Sequence, residues 1–294
     1  MKACPAAAFT LAALALAGCT VTAHTRGAAS PPAAHQASSP SPPPSRPPAH
    51  TLIVMLENHA YSQVIGQHAD PFLNRLAREG ALFTHSRAIT HPSEPNYLAL
   101  FSGGTHGVPG DNCPLRFTGP SLASELLAAG YTFAGYAEGL PSVGSSACSA
   151  GDYARKHAPW TNFTTVPPSV SKPFTAFPDG NFAALPTVSF VIPNLCHDMH
   201  DCPLSTGDAW LRAHIGPYAA WAMTHRSLLI VDFDENDGGP GNMITTIFYG
   251  GTIRPGRYGE SITHYSVLRT IENLYGLRPL GRAARAKPIT NVWR

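Results

Sequence analysis

Charge is scarce in this chain. Only 13% of its 294 residues are Asp, Glu, Lys or Arg, the formal net charge is +2, and no run of Lys and Arg stands out. Nucleic acid or an anionic membrane surface as main partner would call for a concentrated basic footprint, so both are disfavoured. Apolar runs long enough to span a bilayer are missing too. So are a Gly-x-Ser-x-Gly elbow, a P-loop and a Gly-x-Gly-x-x-Gly turn opening a helix after a strand, which leaves a serine acyl hydrolase or a nucleotide-binding module without its signature. No internal repeat is visible.

With 44% hydrophobic residues, the chain has enough apolar material for one large globular domain. The first residues, "MKACPAAAFTLAALALAGCT", combine an early Lys, a short apolar run and small residues, and read as an export signal over 1–19. Leu16-Ala17-Gly18-Cys19 resembles the bacterial lipobox, whose Cys carries lipid. The expectation is a membrane-anchored lipoprotein, periplasmic or at the cell surface, or a secreted protein if Cys19 is not used. Residues 20–50, rich in Pro, Ser and Ala, read as a tether. The catalytic domain is expected over 51–294, with an N-terminal lipid as its only tie to a membrane. Oligomeric state is not legible.

Once Cys4 and Cys19 are set aside, Cys113, Cys148, Cys196 and Cys202 remain. Four cysteines in an oxidising compartment suggest two disulfides; of three connectivities, Cys113 with Cys148 and Cys196 with Cys202 is the least demanding. The segment "CHDMHDC" has a competing reading as a zinc site of two thiolates and two imidazoles.

Short apolar runs over 51–56, 131–138, 187–192, 227–233 and 243–250 predict buried strands. Helical patterns lie between them over 70–80, 121–130, 207–225 and 263–276. The alternation predicts an α/β fold with a largely parallel central sheet. The first strand ends in Glu57-Asn58, the third in Asn194 with His197, Asp198 and His200 close behind, and the fourth in Asp232, Asp234 and Glu235. Any one acid there could be a turn former. Three strands delivering such groups to the edge where open α/β sheets bind ligands predict convergence on one crevice. Converging carboxylates repel, and a hard divalent ion such as Mg, Ca or Mn is the favoured remedy, with zinc admitted.

Ser93, in "ITHPSEPNYLALFSGG", stands just before a helix expected to start near Pro95-Asn96. Free N–H groups and the helix dipole favour an anion at such a start, and a hydroxyl beside a metal can become a nucleophile. Asn96 is a candidate amide donor to an oxyanion. The bland alternative makes Ser93 a plain helix cap.

The pieces "LENHAY", "THPSEPNYLALFSG", "VIPNLCHDMHD" followed by "GDAWL", "VDFDENDGG" and "HYSVLRTIENLYGL" together resemble the phosphoesterase family of the alkaline phosphatase superfamily, which includes bacterial acid phosphatases and phospholipases C. The resemblance covers nearly everything from Thr51 to Leu277. It implies a three-layer sandwich, alkaline phosphatase-like, and a metal-dependent hydrolase of phosphate esters. Ser93 would take up the phosphoryl group, and Glu57, Asn58, Asp234 and Glu235 would bind the metal with it. Asn194, Asp198, His200 and His264 fall where two-metal relatives hold a second ion, yet Asn194 replaces an Asp, so one ion is expected and His264 becomes a phosphate ligand or proton donor. His157 and His264 are the candidates to protonate the leaving group or grip phosphate oxygens. A phosphomonoesterase is the first expectation. A phosphodiesterase or phospholipase C is the second, and a non-catalytic surface lipoprotein that binds a phosphorylated ligand is the third.

Overall fold

The computed structural model describes Pro44 and residues 46–294; the expected export signal, Cys19 and most of the tether lie outside the described residues. Among the described residues no helix is long and apolar enough to cross a membrane. The described residues form ten strands in chain order: β1 (His50–Leu56), β2 (Ala81–Arg87), β3 (Phe133–Ala137), β4 (Ser149–Ala150), β5 (Tyr153–Ala154), β6 (Ser171–Pro173), β7 (Val188–Ile192), β8 (Ser227–Phe233), β9 (Met243–Tyr249) and β10 (Gly256–Thr263). β4 and β5 form a small ribbon, and the other eight make one sheet in the order β10-β2-β9-β8-β1-β7-β3-β6. Only β9 runs against its neighbours, β2 and β8.

Among the described residues seven α-helices flank the sheet: α1 (Tyr61–Val64), α2 (Pro71–Glu79), α3 (Ser93–Ser102), α4 (Leu122–Ala128), α5 (Leu204–His214), α6 (Gly216–Ala222) and α7 (His264–Leu274). Side chains alternate across a strand, so β1 feeds both faces of the sheet. Ile53 and Met55 join one core with Tyr97, Phe101 and Leu268, while Leu52, Val54 and Leu56 join another with Leu73, Leu76, Trp210 and Tyr218. The result is the expected three-layer α/β sandwich. Every residue of α3 is buried, which is why its sequence shows no polar stripe.

The helical pattern over 207–225 is two helices instead of one. Pro217 has no N–H to continue the ladder, and the chain restarts at Gly216. β2 and β10 escaped the strand reading. In β10 half-buried and exposed residues alternate and only Ile262 is fully buried, and "ALFTHSR" of β2 is poor in β-branched residues. In β3, Gly135 passes directly beneath Trp160. A Cβ at this glycine would lie 2.2 Å from the indole, so position 135 admits no side chain without moving the ring.

One buried acid outside the sheet edge has a predictable effect on stability. Both Asp70 carboxylate oxygens are buried without a hydrogen-bond partner, and Asp208 nearby has taken the first N–H groups of α2, at 3.0 Å from Phe72 and 2.8 Å from Leu73. Burial, with the Asp208 charge added, pushes Asp70 up to about 6. A carboxyl raised in the folded state is neutral in both states below its unfolded value of about 3.9, and it destabilises increasingly as pH rises through the folded value. Asp70→Asn is therefore expected to raise Tm at pH 7.5 while changing it little at pH 4, by an amount corresponding to at most about 3 kcal/mol. Equal shifts at both pH values in thermal melts would contradict this account.

Candidate active site

Each segment flagged at a strand end does arrive at the carboxyl edge of the sheet. β1 delivers Glu57, β8 delivers Asp234 and Glu235, β7 leads to Asp198, and β10 leads to His264. Backbone bonds lock these ends together: Glu57 donates its N–H to Asp198 O at 2.8 Å, and Asp234 donates to Leu56 O at 2.9 Å.

Ser93 opens α3, two residues earlier than the sequence suggested. Pro95 is accommodated inside the first turn, where a missing N–H costs nothing. The Ser93 hydroxyl lies 2.9 Å from Glu57 Oε2 and 3.2 Å from Glu235 Oε1, so one proton faces two carboxylates. Asp234 Oδ1 accepts the N–H groups of Asn58 (3.1 Å) and Glu235 (2.6 Å). Its Oδ2 is buried with no hydrogen bond. A second donor set adjoins the first: Glu57, His157 and Asp198 place one ligand atom each within 4.8 Å of one another. His157 Nε2 is 3.2 Å from Glu57 Oε1 and its Nδ1 is 3.3 Å from Asp198 Oδ2. Glu57 is common to both sets.

The electrostatics are those of a site short of positive charge. Burial raises Glu57 well above the carboxylate range, and Asp198 adds to it. Burial likewise raises Asp234, followed by the charges of Glu57 and Glu235, and it pushes Asp198 up to about 7. His157 is driven well below its ordinary value, first by burial and then by Lys156 and His200. Its neutral ring stacks on Tyr97 at 5.0 Å. Four buried acids, an imidazole and an orphaned carboxylate oxygen are donors that fit a divalent metal ion. The oxygen-rich set suits a hard ion, and the imidazole widens the choice without identifying it.

Other predicted residues occupy different stations. Asn96 is the staple of the loop before α3: its Nδ2 donates to Thr90 O and Pro92 O, and its Oδ1 accepts from Ile89 and Thr90. No Asn96 donor is left for an oxyanion. His264 stands 3.1 Å from Asp232 Oδ2 through Nδ1 and 2.7 Å from Asp234 O through Nε2. Burial alone would lower its pKa, but Asp232 and the Asp234 carbonyl outweigh burial and raise it. With both nitrogens engaged, this ring holds the Asp234 strand end and has no nitrogen free for a leaving group. Asn194 Oδ1 accepts from Cys196 and His197, closing its own turn. His200 pairs with Asp201 at 2.6 Å, its ring 6.1 Å from that of His157. Disulfides join Cys113 to Cys148 and Cys196 to Cys202, so no thiolate zinc site exists at "CHDMHDC".

Several site residues were not singled out in the sequence. Tyr97 donates its hydroxyl to Glu57, and its spacing of four from Ser93 on α3 was the available signal. His91 lies 2.5 Å from Glu235 and is 41% exposed. Lys156 donates to Asp111 Oδ2 at 2.7 Å, and Asp111 Oδ1 accepts the Glu94 N–H beside Ser93. Glu94 in turn binds Asn112 N and Asn162 Nδ2, fastening two loops under the helix start.

A sequence profile of the phosphoesterase family matches residues 67–278. The chain belongs to that family. As a phosphoesterase it is 55% identical over 247 residues to a phosphatidylinositol-3-phosphatase of Mycobacterium tuberculosis, covering 83% of each chain. It is 33% identical to an acid phosphatase of Aspergillus fumigatus, over 78% of this chain and 55% of that longer one. Among solved structures, an alkaline phosphatase superfamily protein of Vibrio parahaemolyticus superimposes with a TM-score of 0.57 at 12% identity, covering 84% of this chain and 72% of the other. A lipoteichoic acid synthase of Listeria monocytogenes gives 0.56 at 13%, covering 83% and 76%. These two likenesses speak for the fold. Family and relatives together make this phosphoesterase a phosphoric ester hydrolase.

Proposed function

We propose that the chain is a metal-dependent phosphomonoesterase in which Ser93 is the nucleophile, and that its substrates include the monoester phosphate of an inositol lipid. The observation that carries this reading is the Ser93 hydroxyl at a helix start, between Glu57 and Glu235, in a cluster of buried acids. Residues suited to hold the ion are Glu57, Asp234 and Glu235 with Ser93, and the adjoining His157 and Asp198 offer a second place. A bound divalent ion would neutralise phosphoryl charge and acidify the serine hydroxyl. Ser93 Oγ attacks phosphorus in line, its proton passes to a facing carboxylate, and the alcohol leaves with a proton from half-exposed His91. Water then cleaves the phosphoserine. Lys156, held toward the site by Asp111, offers a fixed cation to the nonbridging oxygens.

The lipid part of the proposal rests on the relative's name: phosphatidylinositol 3-phosphate carries a monoester on a lipid. The two disulfides fit an exported protein, and we extend this to an export signal over 1–19, lipidation at Cys19, a tether over 20–50 and a catalytic domain over 51–294. The test compares kcat/KM for p-nitrophenyl phosphate, bis-p-nitrophenyl phosphate, diacyl phosphatidylinositol 3-phosphate and a phosphatidylcholine analogue. Both monoesters are expected to exceed the diester and the phosphatidylcholine analogue at least about tenfold, a gap of 1.4 kcal/mol in transition-state stabilisation. A tenfold preference for either of the latter would replace this reading with a phosphodiesterase or phospholipase C.

A further inference from the structure

Beside α3, towards the β6 edge of the sheet, lies a cavity of about 510 Å³, within the range that small ligands fill. Its lining contains two arginines, Arg116 and Arg155, and no aspartate or glutamate. In a protein whose reaction centre gathers acids, this is a separate region of opposite sign.

Arg155 is only 7% exposed. Its guanidinium gives three of its five N–H groups to neutral acceptors: Nε to Thr161 Oγ1 at 3.1 Å, Nη1 to Ser146 O at 3.0 Å and Nη2 to Thr161 O at 2.9 Å. Among the described residues neither arginine forms an ion pair. The nearest acid acting on Arg155, Glu94, does so through space without a direct ion pair, and a guanidinium fork with free N–H groups is complementary to a carboxylate or phosphate. The remaining walls are largely apolar, with Leu115, Phe163 and Val166 among them.

We propose that this cavity binds an amphiphile that carries one anionic head, a carboxylate or phosphodiester, on an apolar chain. The head meets Arg155 and Arg116, and the chain lies along Leu115, Phe163 and Val166. The cavity adjoins the reaction centre through one side chain. Asn162 lines it and donates at 3.1 Å to Glu94, the residue after Ser93. Consecutive residues also link the two places, since Arg155 serves the cavity and Lys156 and His157 serve the site. Two sources share the required chemistry: the unreacting diester and chain of a lipid substrate, or a separate single-chain amphiphile.

The probe is dodecanoate, titrated calorimetrically into the full wild-type protein, so that the result does not depend on turnover. Saturable binding at one site is expected. Arg116→Ala should weaken it about tenfold, as loss of a charge-assisted contact predicts, and uncharged dodecanol should bind more weakly by a similar factor. Val166→Trp should fill the cavity and abolish binding; Thr164→Trp, at an exposed part of the same wall, tests the point if the buried substitution impairs folding. Absence of saturable binding, or binding indifferent to both Arg116→Ala and the filled cavity, overturns the proposal. Two supporting outcomes separate the sources. Dodecanoate that raises KM for the diacyl phosphoinositide but not for p-nitrophenyl phosphate assigns the cavity to the lipid substrate. An altered kcat for p-nitrophenyl phosphate assigns it to a separate ligand.

Discussion

Ser93→Ala is expected to lower kcat/KM for p-nitrophenyl phosphate by at least about a thousandfold, because loss of a covalent nucleophile removes the reaction path itself. Its structural cost is small by comparison. The hydroxyl contributes hydrogen bonds to Glu57 and Glu235 and no intrahelical cap, so the loss in stability should be about 1 kcal/mol. Kinetics and thermal melts on the same preparation separate the two effects. A well-folded Ser93→Ala protein that keeps near-normal turnover would remove Ser93 from the reaction.

The second large effect concerns the ion. Exhaustive chelation should abolish turnover, and Mg, Mn or Ca should restore it. Asp234→Asn should behave as the chelated protein does, since its Oδ2 is a buried carboxylate oxygen without a partner and an amide cannot replace its charge. The readout need not be catalytic. A ligand that binds only the folded state stabilises it by mass action, so metal should raise the Tm of the wild-type protein and raise that of Asp234→Asn much less. Full activity after chelation, with no metal found by elemental analysis, would refute a metal enzyme.

Much of this architecture was legible in the amino-acid order. Continuous β-branched runs mark strands buried on both faces, and polar groups right after those runs mark the sheet edge, so the gathering of Glu57, Asp198, Asp234 and Glu235 at that edge was legible without coordinates. What resisted reading was the direction in which polar side chains point. Asn96 follows Ser93 at a spacing that suits an oxyanion donor, yet the carbonyls of Thr90 and Pro92 claim both its N–H groups. His264 was read as chemistry and proves to be a brace, because Asp232, on a strand neighbouring neither β10 nor α7 in sequence, meets it from 32 residues away. His157 was placed among proton donors, but burial, with Lys156 and His200 adding to it, drives its pKa well down, and its two nitrogens face Glu57 and Asp198 in a donor set. Lys156 was invisible because its importance depends on Asp111, 45 residues earlier in a loop without periodicity.

The contact between Gly135 and Trp160 reaches further than the packing of one strand. Trp160 forms part of the cavity wall, and its Nε1 is fixed by Ser171 Oγ at 2.9 Å. Any residue larger than glycine at position 135 must displace that indole and so reshape the cavity wall, although position 135 itself does not line the cavity. The size of that chamber is thus set from the floor of the sheet, and among homologous sequences a glycine here would travel with an open chamber, whereas an alanine or serine would signal a chamber already reshaped.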